Sequence, residues 1–348
     1  MNLVTGATGL LGSHIVEQLR QRGEPVRALV RASSDTRALE SFGGVELAPG
    51  DVTDPASLAE AMEGVTTVYH SAAAVGDWGN WDNYFVPVTI GGTRNMIDAA
   101  KKAGVKRFLH VSSISAYGHP NEEGLVVDES FPLGQHLHKW SYYSRAKVEA
   151  ERMVWDEYEK GNLPATVVKP SWLYGPRDRA SMPRIIKAIA AGKSKIIGDG
   201  TNRLNLTYAG NEAEGCILAA TTDKALGESY NLSCDGKITQ AEYFNKIAEC
   251  IHAEPIKKHV PYWLAYQAAF WMECWGHLIG KKTPPLVTRY SVWLIGRKCF
   301  FSEAKARREL GWKATVSYEE GIQRSVKWCL DNVPDLQHLA TRLRTPQQ

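Results

Sequence analysis

"VTGATGLLGSH" (residues 4–14) sets glycines at 6, 9 and 12. The apolar run "NLVTG" (2–6) precedes them and reads as a strand, and a helical stretch from Leu10 to about Arg22 follows. Glycines at a strand-to-helix junction permit a tight turn. They also let backbone N–H groups approach a pyrophosphate at the helix N-terminus. The spacing is G-x-x-G-x-x-G rather than the commoner G-x-G-x-x-G. Its place after the first strand makes Gly6, Thr8, Gly9, Leu10, Leu11 and Gly12 a candidate phosphate-binding turn.

Strands and helices alternate outward from this turn. "PVRALV" (25–30), "VELAPGDV" (45–52), "VTTVYHSAA" (65–73), "RFLHVSS" (107–113) and "ATVVKPS" (165–171) are apolar runs that predict strands. Asp54 and Pro55 read as the N-cap and first turn of one intervening helix, and Gly104 as the stop of a helix over roughly 85–103. Such alternation predicts an α/β protein with a doubly wound parallel sheet of the Rossmann type, covered on both faces. This nucleotide-binding domain is expected over 1–171, with later segments returning to it. Residues 172–334 read as a smaller, mainly substrate-binding cap region, and 335–348 as a peripheral tail.

Bulk composition narrows the function classes. The chain of 348 residues is 44% hydrophobic and 23% charged, with a formal net charge of +3, which gives no reason to expect nucleic acid as a partner. Six scattered cysteines without C-x-x-C spacing suit a reducing compartment, and the near-immediate first strand suggests no signal peptide; a cytoplasmic protein is expected. "PYWLAYQAAFWMECWGHLIG" (261–280) is rich in aromatics but contains Gln267, Glu273 and His277. It is a poor membrane span and a better helix packed on the protein, with a membrane surface or a partner as its other candidate contact. His136 and His138 stand two apart without matching partners, so no metal is expected.

The end of the second strand bears on cofactor choice. An acid there would hold the 2′-hydroxyl of NAD, whereas an arginine would accept the 2′-phosphate of NADP. In "LVRASSDTR" (29–37) Arg31 stands at the strand end, with Ser33, Ser34 and Arg37 nearby, and Asp35 comes too late to replace the acid. NADP(H) is favoured, with NAD(H) as the second reading.

"WSYYSRAKVEAE" (140–151) reads as the start of a helix. Tyr143 and Lys147 are four apart and share one face, whereas Tyr142 lies roughly 140° round from Lys147. A lone Tyr-x-x-x-Lys also fits an ordinary surface pair. Its company decides between the two readings: "GDVTD" (50–54), "HSAA" (70–73), "GGTRN" (91–95), "VSSISAYG" (111–118) and "KPSWLYGPRD" (169–178), with the three glycines. Together these make residues 1–330 resemble the extended short-chain dehydrogenases/reductases. The resemblance implies that Ser113, Tyr143 and Lys147 are catalytic, with Ser112 as the alternative serine. It implies that Asp51 and Val52 neighbour the adenine, Ala72 and Ala73 line the cofactor path, and Pro170 and Ser171 border the nicotinamide. A nearby ammonium is expected to lower the Tyr143 pKa. The sequence departs from the pattern at Thr89, where Asn is frequent, at Gly210, where an acid is common, and at Lys169, where arginine is frequent.

The stretch "GKKTPPLVTRYSVWLIGRKCFFSEAKARRELGW" (280–312) resembles the 3β-hydroxysteroid dehydrogenase branch, which includes sterol dehydrogenases and reductases of long-chain 2-alkyl-3-oxoalkanoates. A hydrophobic small-molecule substrate is thereby expected, with Trp78, Trp81, Trp140 and Trp172 as candidate contacts. Reduction of a 2-alkyl-3-oxoalkanoate leads, followed by steroid or sterol oxidation, a sugar-nucleotide epimerase and a non-catalytic nucleotide sensor. The aromatic stripe of Trp263, Phe270 and Trp271 reads as core packing before ligand contact. An epimerase would draw its diphosphate site from Arg177, Arg179, Lys187, Lys193 and Arg203, which read first as solvated charges. By analogy a homodimer is expected, paired through the helices near 85–103 and 143–160.

Overall fold

The computed structural model describes residues 1–339 except 77, 121 and 235. Seven parallel strands form the main sheet: β1 (Asn2–Thr5), β2 (Val26–Val30), β3 (Val45–Pro49), β4 (Thr67–His70), β5 (Arg107–Val111), β6 (Ala165–Pro170) and β7 (Ser229–Leu232). They lie in the order β3-β2-β1-β4-β5-β6-β7. Side chains of a strand alternate between faces, and the two apolar layers follow this rule. Leu3, Val68, Phe108 and Val167 enter one layer; Val4, Tyr69, Leu109 and Val168 enter the other.

The main helices are α1 (Leu10–Gln21), α2 (Gly92–Ala103), α3 (Tyr142–Glu159), α4 (Ala209–Thr221) and the cap helix α5 (Tyr262–Leu278). Residues of α1 and α4 join the Val4 layer, and residues of α2 and α3 join the Leu3 layer. The sheet is thus covered on both faces, as the alternation predicts. Both β7 and α4 come from beyond residue 171. Another apolar cluster lies among the C-terminal elements and includes Tyr174, Met182, Ile186, Tyr243, Ile322 and Val326.

Local chemistry sets the element ends. Asp54 caps the Pro55–Ala61 helix by accepting from Ala56 N, and Gly104 ends α2 in a left-handed conformation at φ 64°. The helix expected near 85–103 is in two parts, because a π-helical segment, Trp81–Gly91, runs into α2. Pro87 lies inside that segment and has no N–H to give to a regular α-helical ladder.

Three histidines lie within or against the sheet layers. His70 is 1% exposed and bridges Thr5 Oγ1 (2.9 Å) and Thr93 Oγ1 (3.1 Å). Neighbouring His110 has no partner for either ring nitrogen among the described residues. Burial lowers the pKa of His14 and of His70 to about 3 and sends that of His110 well below the ordinary value. Below about pH 6.5 the unfolded chain takes up protons that these rings refuse when folded. Their contribution is complete above that pH and is lost as pH falls toward 3, at up to about 1.4 kcal/mol per ring per pH unit. The urea midpoint is therefore expected to drop between about pH 7 and pH 5; a constant midpoint would contradict neutral buried rings.

Candidate active site

The sheet order reverses at β1, which has β2 on one side and β4 on the other. A crevice opens beyond the carboxyl ends of strands at such a point. The register aligns those ends, pairing Thr5 with His70, His70 with His110 and Val111 with Val168.

The glycine turn fits a pyrophosphate. Gly6 adopts φ 65°, and a Cβ there would stand 2.9 Å from Ala72 N; a Cβ on Gly12 would fall 2.2 Å from Gly6 O. Gly9 N donates to Gly6 O at 2.9 Å. The first turn of α1 has neither a side-chain cap nor an acidic residue, so nothing there competes with or repels an anion. Thr8 and Leu10 are half-buried beside exposed Gly9, while Leu11 is in the core.

At the end of β2, Arg31 is exposed, and its side chain makes no hydrogen bond or ion pair among the described residues. Ser33 is also exposed, and Ser34 Oγ accepts from Arg31 N at 3.2 Å. Asp35 is committed elsewhere: it accepts from Arg37 Nε and Nη2 (2.8 and 2.7 Å) and from Arg179 Nη2 (2.8 Å). These partners hold its carboxyl below the usual range, with the Arg37 hydrogen bond the largest cause. Asp51 accepts from Thr53 N and Oγ1, and the carbonyl of buried Val52 accepts from Asn95 Nδ2.

The loop after β4 is held from both sides. Ala72 N donates to Thr5 Oγ1 at 3.1 Å and Ala74 N to Thr89 Oγ1 at 2.9 Å, with half-buried Ala73 between them. Thr89 thus pins the backbone that runs past the crevice. At Gly210, an acid would drive its Cβ to 2.7 Å from the Tyr208 ring.

Tyr143 and Lys147 share a face of α3, and Lys147 Nζ lies 6.0 Å from the Tyr143 ring centre. Tyr142 turns away toward Trp81 and Phe85. Ser113 lies near enough to the Tyr143 phenol to favour its ionised form, and Ser113 Oγ accepts from Ser115 N at 3.1 Å. One expectation is corrected here. The Tyr143 pKa is raised, because loss of water outweighs the opposing effect of nearby Ser113, while the Lys147 ammonium is turned to Val111 O at 2.8 Å. Burial lowers Lys147 itself to about 8, opposed by Glu151.

The same face of α3 continues to Glu151, which is 1% exposed. Its carboxylate pairs with Lys169 Nζ at 2.8 Å and accepts from Ser112 Oγ (2.6 Å) and Trp155 Nε1 (3.3 Å). Ser112 is therefore part of this support, while Ser113 faces the phenol. The Tyr143–Lys147–Glu151 spacing of four and four is the sequence signal for Glu151, which the motif reading does not use. Next to Lys169, Pro170 is buried, and Ser171 Oγ lies 3.1 Å from Thr207 Oγ1.

A lid of aromatic residues stands above the start of α3. His277 of α5 stacks between Trp78 (4.3 Å) and Trp140 (4.4 Å). Arg289 ion-pairs with buried Glu273, donates to His138 Nδ1 and lies 5.4 Å above the Trp140 ring. Tyr290 reaches Ser115 Oγ at 2.7 Å and stands edge-on to Tyr143. Trp81 instead lies under Arg145, and Trp172 packs against Tyr243. No local pattern announces His277, Arg289 or Tyr290 as site residues, since the partners that bring them there (Trp78 and Trp140, His138, Ser115 and Tyr143) lie more than a hundred positions away.

A family model for the NAD dependent epimerase/dehydratase family matches residues 2–233. The chain belongs to that family. It is 31% identical over 334 residues to the 2-alkyl-3-oxoalkanoate reductase of Shewanella oneidensis, covering 92% of this chain and 84% of the relative. It is 30% identical over 336 residues to the sterol-4-alpha-carboxylate 3-dehydrogenase, decarboxylating, of Mus musculus, covering 93% and 89%. Among solved structures it is similar to gox2253, with a TM-score of 0.80, 30% identity and coverage of 96% of this chain and 98% of that one. This epimerase/dehydratase family member is an NAD(P)-dependent oxidoreductase of the extended short-chain type.

The Glu151–Lys169 pair supplies a stability test. Glu151→Ala is expected to cost about 3–5 kcal/mol in urea unfolding, because it strands a buried ammonium. Replacing both residues with methionine is expected to restore most of the loss, and a double variant as unstable as the single one would contradict the pairing.

Proposed function

We propose that the chain is an NADPH-dependent reductase of a 3-oxo group on a long apolar acid, with a 2-alkyl-3-oxoalkanoate the best-supported substrate. The carrying observation is the half-buried Tyr143 ring, 6.0 Å from Lys147 Nζ, near Ser113 and edge-on to Tyr290, with a phenol whose pKa is raised by loss of water. A bound nicotinamide supplies the hydride. The chain's own residues manage proton and charge. Tyr143 donates its proton to the substrate oxygen, and a raised pKa keeps that proton available at neutral pH. Ser113 donates a hydrogen bond to the same oxygen as negative charge develops on it. Lys147 places a positive charge on the Tyr143 face of α3, held by the Val111 carbonyl.

The polar geometry supports the reductive cofactor. Arg31 is exposed and unpartnered at the end of β2, whereas Asp35 is taken by two arginines. A 2′-phosphate thus meets a free cation, and no free carboxylate waits for a 2′-hydroxyl. The sugar-nucleotide reading is disfavoured because four of its five candidate cations are engaged: Arg177 with Glu17, Arg179 with Asp35, Lys187 with Asp335, and Arg203 over Phe300, which leaves exposed Lys193 alone. This corrects the solvated reading of Arg177, whose side chain is 13% exposed. Similarity to the reductase and to the sterol dehydrogenase, as each is named, supports an apolar substrate.

Two measurements test this reading. Tyr143→Phe is expected to lower kcat about 100-fold or more while leaving the nucleotide Kd within about three-fold; near-normal turnover would refute the assignment. Arg31→Ala is expected to weaken NADPH binding about ten-fold and leave NADH unchanged, as loss of a charge-assisted bond does. Equal effects on both nucleotides would remove Arg31 from cofactor choice.

A further inference from the structure

The cap helix α5 is built inside out for a water-soluble surface. Ala265, Ala269, Glu273 and Gly276 face inward and are buried. Leu264, Trp271, Trp275 and Leu278 face outward within an arc of roughly 60°. Trp271 is 66% exposed, Trp275 63% and Leu278 77%. Trp263 and Leu286 extend the same apolar exposure at 66% and 90%. A helix of a globular protein normally buries its large apolar side chains and shows its polar ones. The expectation of core packing for Trp263 and Trp271 is thereby corrected, because the small residues supply the packing face.

Along the chain from Pro255 to Lys298 the charge is almost all of one sign. That stretch has a single acidic residue, Glu273, which is buried and paired with Arg289. Lys257 and Lys258 precede the helix, and Lys281 and Lys282 follow it; all four are exposed and outside any ion pair among the described residues. Two copies of the chain meeting through this face by two-fold symmetry would set these lysines against each other with no acid between them. Tryptophans above a lysine rim suit the boundary between acyl chains and anionic headgroups. Among the described residues no helix is long and apolar enough to cross a membrane, so the face would lie on a bilayer rather than span it.

We infer that the outward face of α5 docks on an anionic lipid surface, its tryptophans entering the headgroup boundary and Lys257, Lys258, Lys281 and Lys282 meeting lipid phosphates. The docking does not rest on the reductase reading. If that reading holds, the inner side of the same helix, where His277 stacks, places the active-site lid directly over the lipid that would carry an apolar substrate.

The test is co-sedimentation of the full chain with phosphatidylcholine vesicles, with and without phosphatidylglycerol. Binding is expected to be about ten-fold or more tighter when phosphatidylglycerol is present and to weaken with added salt. Trp271→Ser with Trp275→Ser is expected to abolish sedimentation from both vesicle types. Lys281→Glu with Lys282→Glu is expected to lose about ten-fold of the affinity for anionic vesicles alone. Circular dichroism and nucleotide binding of both variants should match the parent, which separates this outcome from misfolding. Absence of vesicle binding by the parent overturns the inference. So does tryptophan-independent binding, or a light-scattering result in which the tryptophan variant turns a dimer into a monomer while vesicle binding persists.

Discussion

The Glu151 carboxylate is where the site is tied together. It takes Lys169 from the end of β6, Ser112 from the exit of β5 and Trp155 from its own helix. Each tie lies beside a residue of the proposed reaction centre. Ser113 follows Ser112, Pro170 follows Lys169, and Lys147 and Tyr143 lie one and two turns back along α3. Bringing two charges out of water is unfavourable unless their remaining lone pairs and protons are met. Here the carboxylate is met by three donors, and Lys169 lies over the Tyr117 ring. The arrangement spends stability to fix the separation of three chain segments, and that separation decides whether Ser113 can reach the Tyr143 phenol.

Burial has opposite consequences for the two titrating groups on that helix. Tyr143 holds its proton more firmly, and Lys147 gives up its proton more readily. With the ammonium turned to the Val111 carbonyl, the phenol is not poised as an anion. A site in this state is set to give a proton, as the proposed reduction requires. Sheet histidines such as His70 stay neutral beneath it and add no competing acid.

Much of the frame is legible from short-range pattern. The glycine turn, the strand-helix alternation and the four-residue spacing of Tyr143 and Lys147 are local, and local geometry fixes them. What local pattern cannot carry is pairing across the chain. His277 meets Trp78, Tyr290 meets Ser115, and Asn231 meets Tyr117 only because the C-terminal segments fold back. The outward turn of the α5 tryptophans is likewise invisible in composition, since a stripe of aromatics at helical spacing is the same whichever side the protein packs. Thr89 and Gly210 show the reverse case. As departures from a motif they are unexplained, and the structure gives each a reason, in the Ala74 amide and the Tyr208 ring.

Trp78 joins two parts of the molecule that otherwise have separate tasks. Its indole lies against Gly276, where any added carbon would stand 2.9 Å from the ring, and its N–H is spent on the Lys281 carbonyl. The same residue belongs to the stretch leaving β4, whose amides at Ala72 and Ala74 are moored to Thr5 and Thr89. The roof and the floor are thus linked like a door and its frame. Trp78 is a contact that α5 shares with the stretch leaving β4, so the packing of the cap helix rests in part on a residue from the sheet side of the crevice.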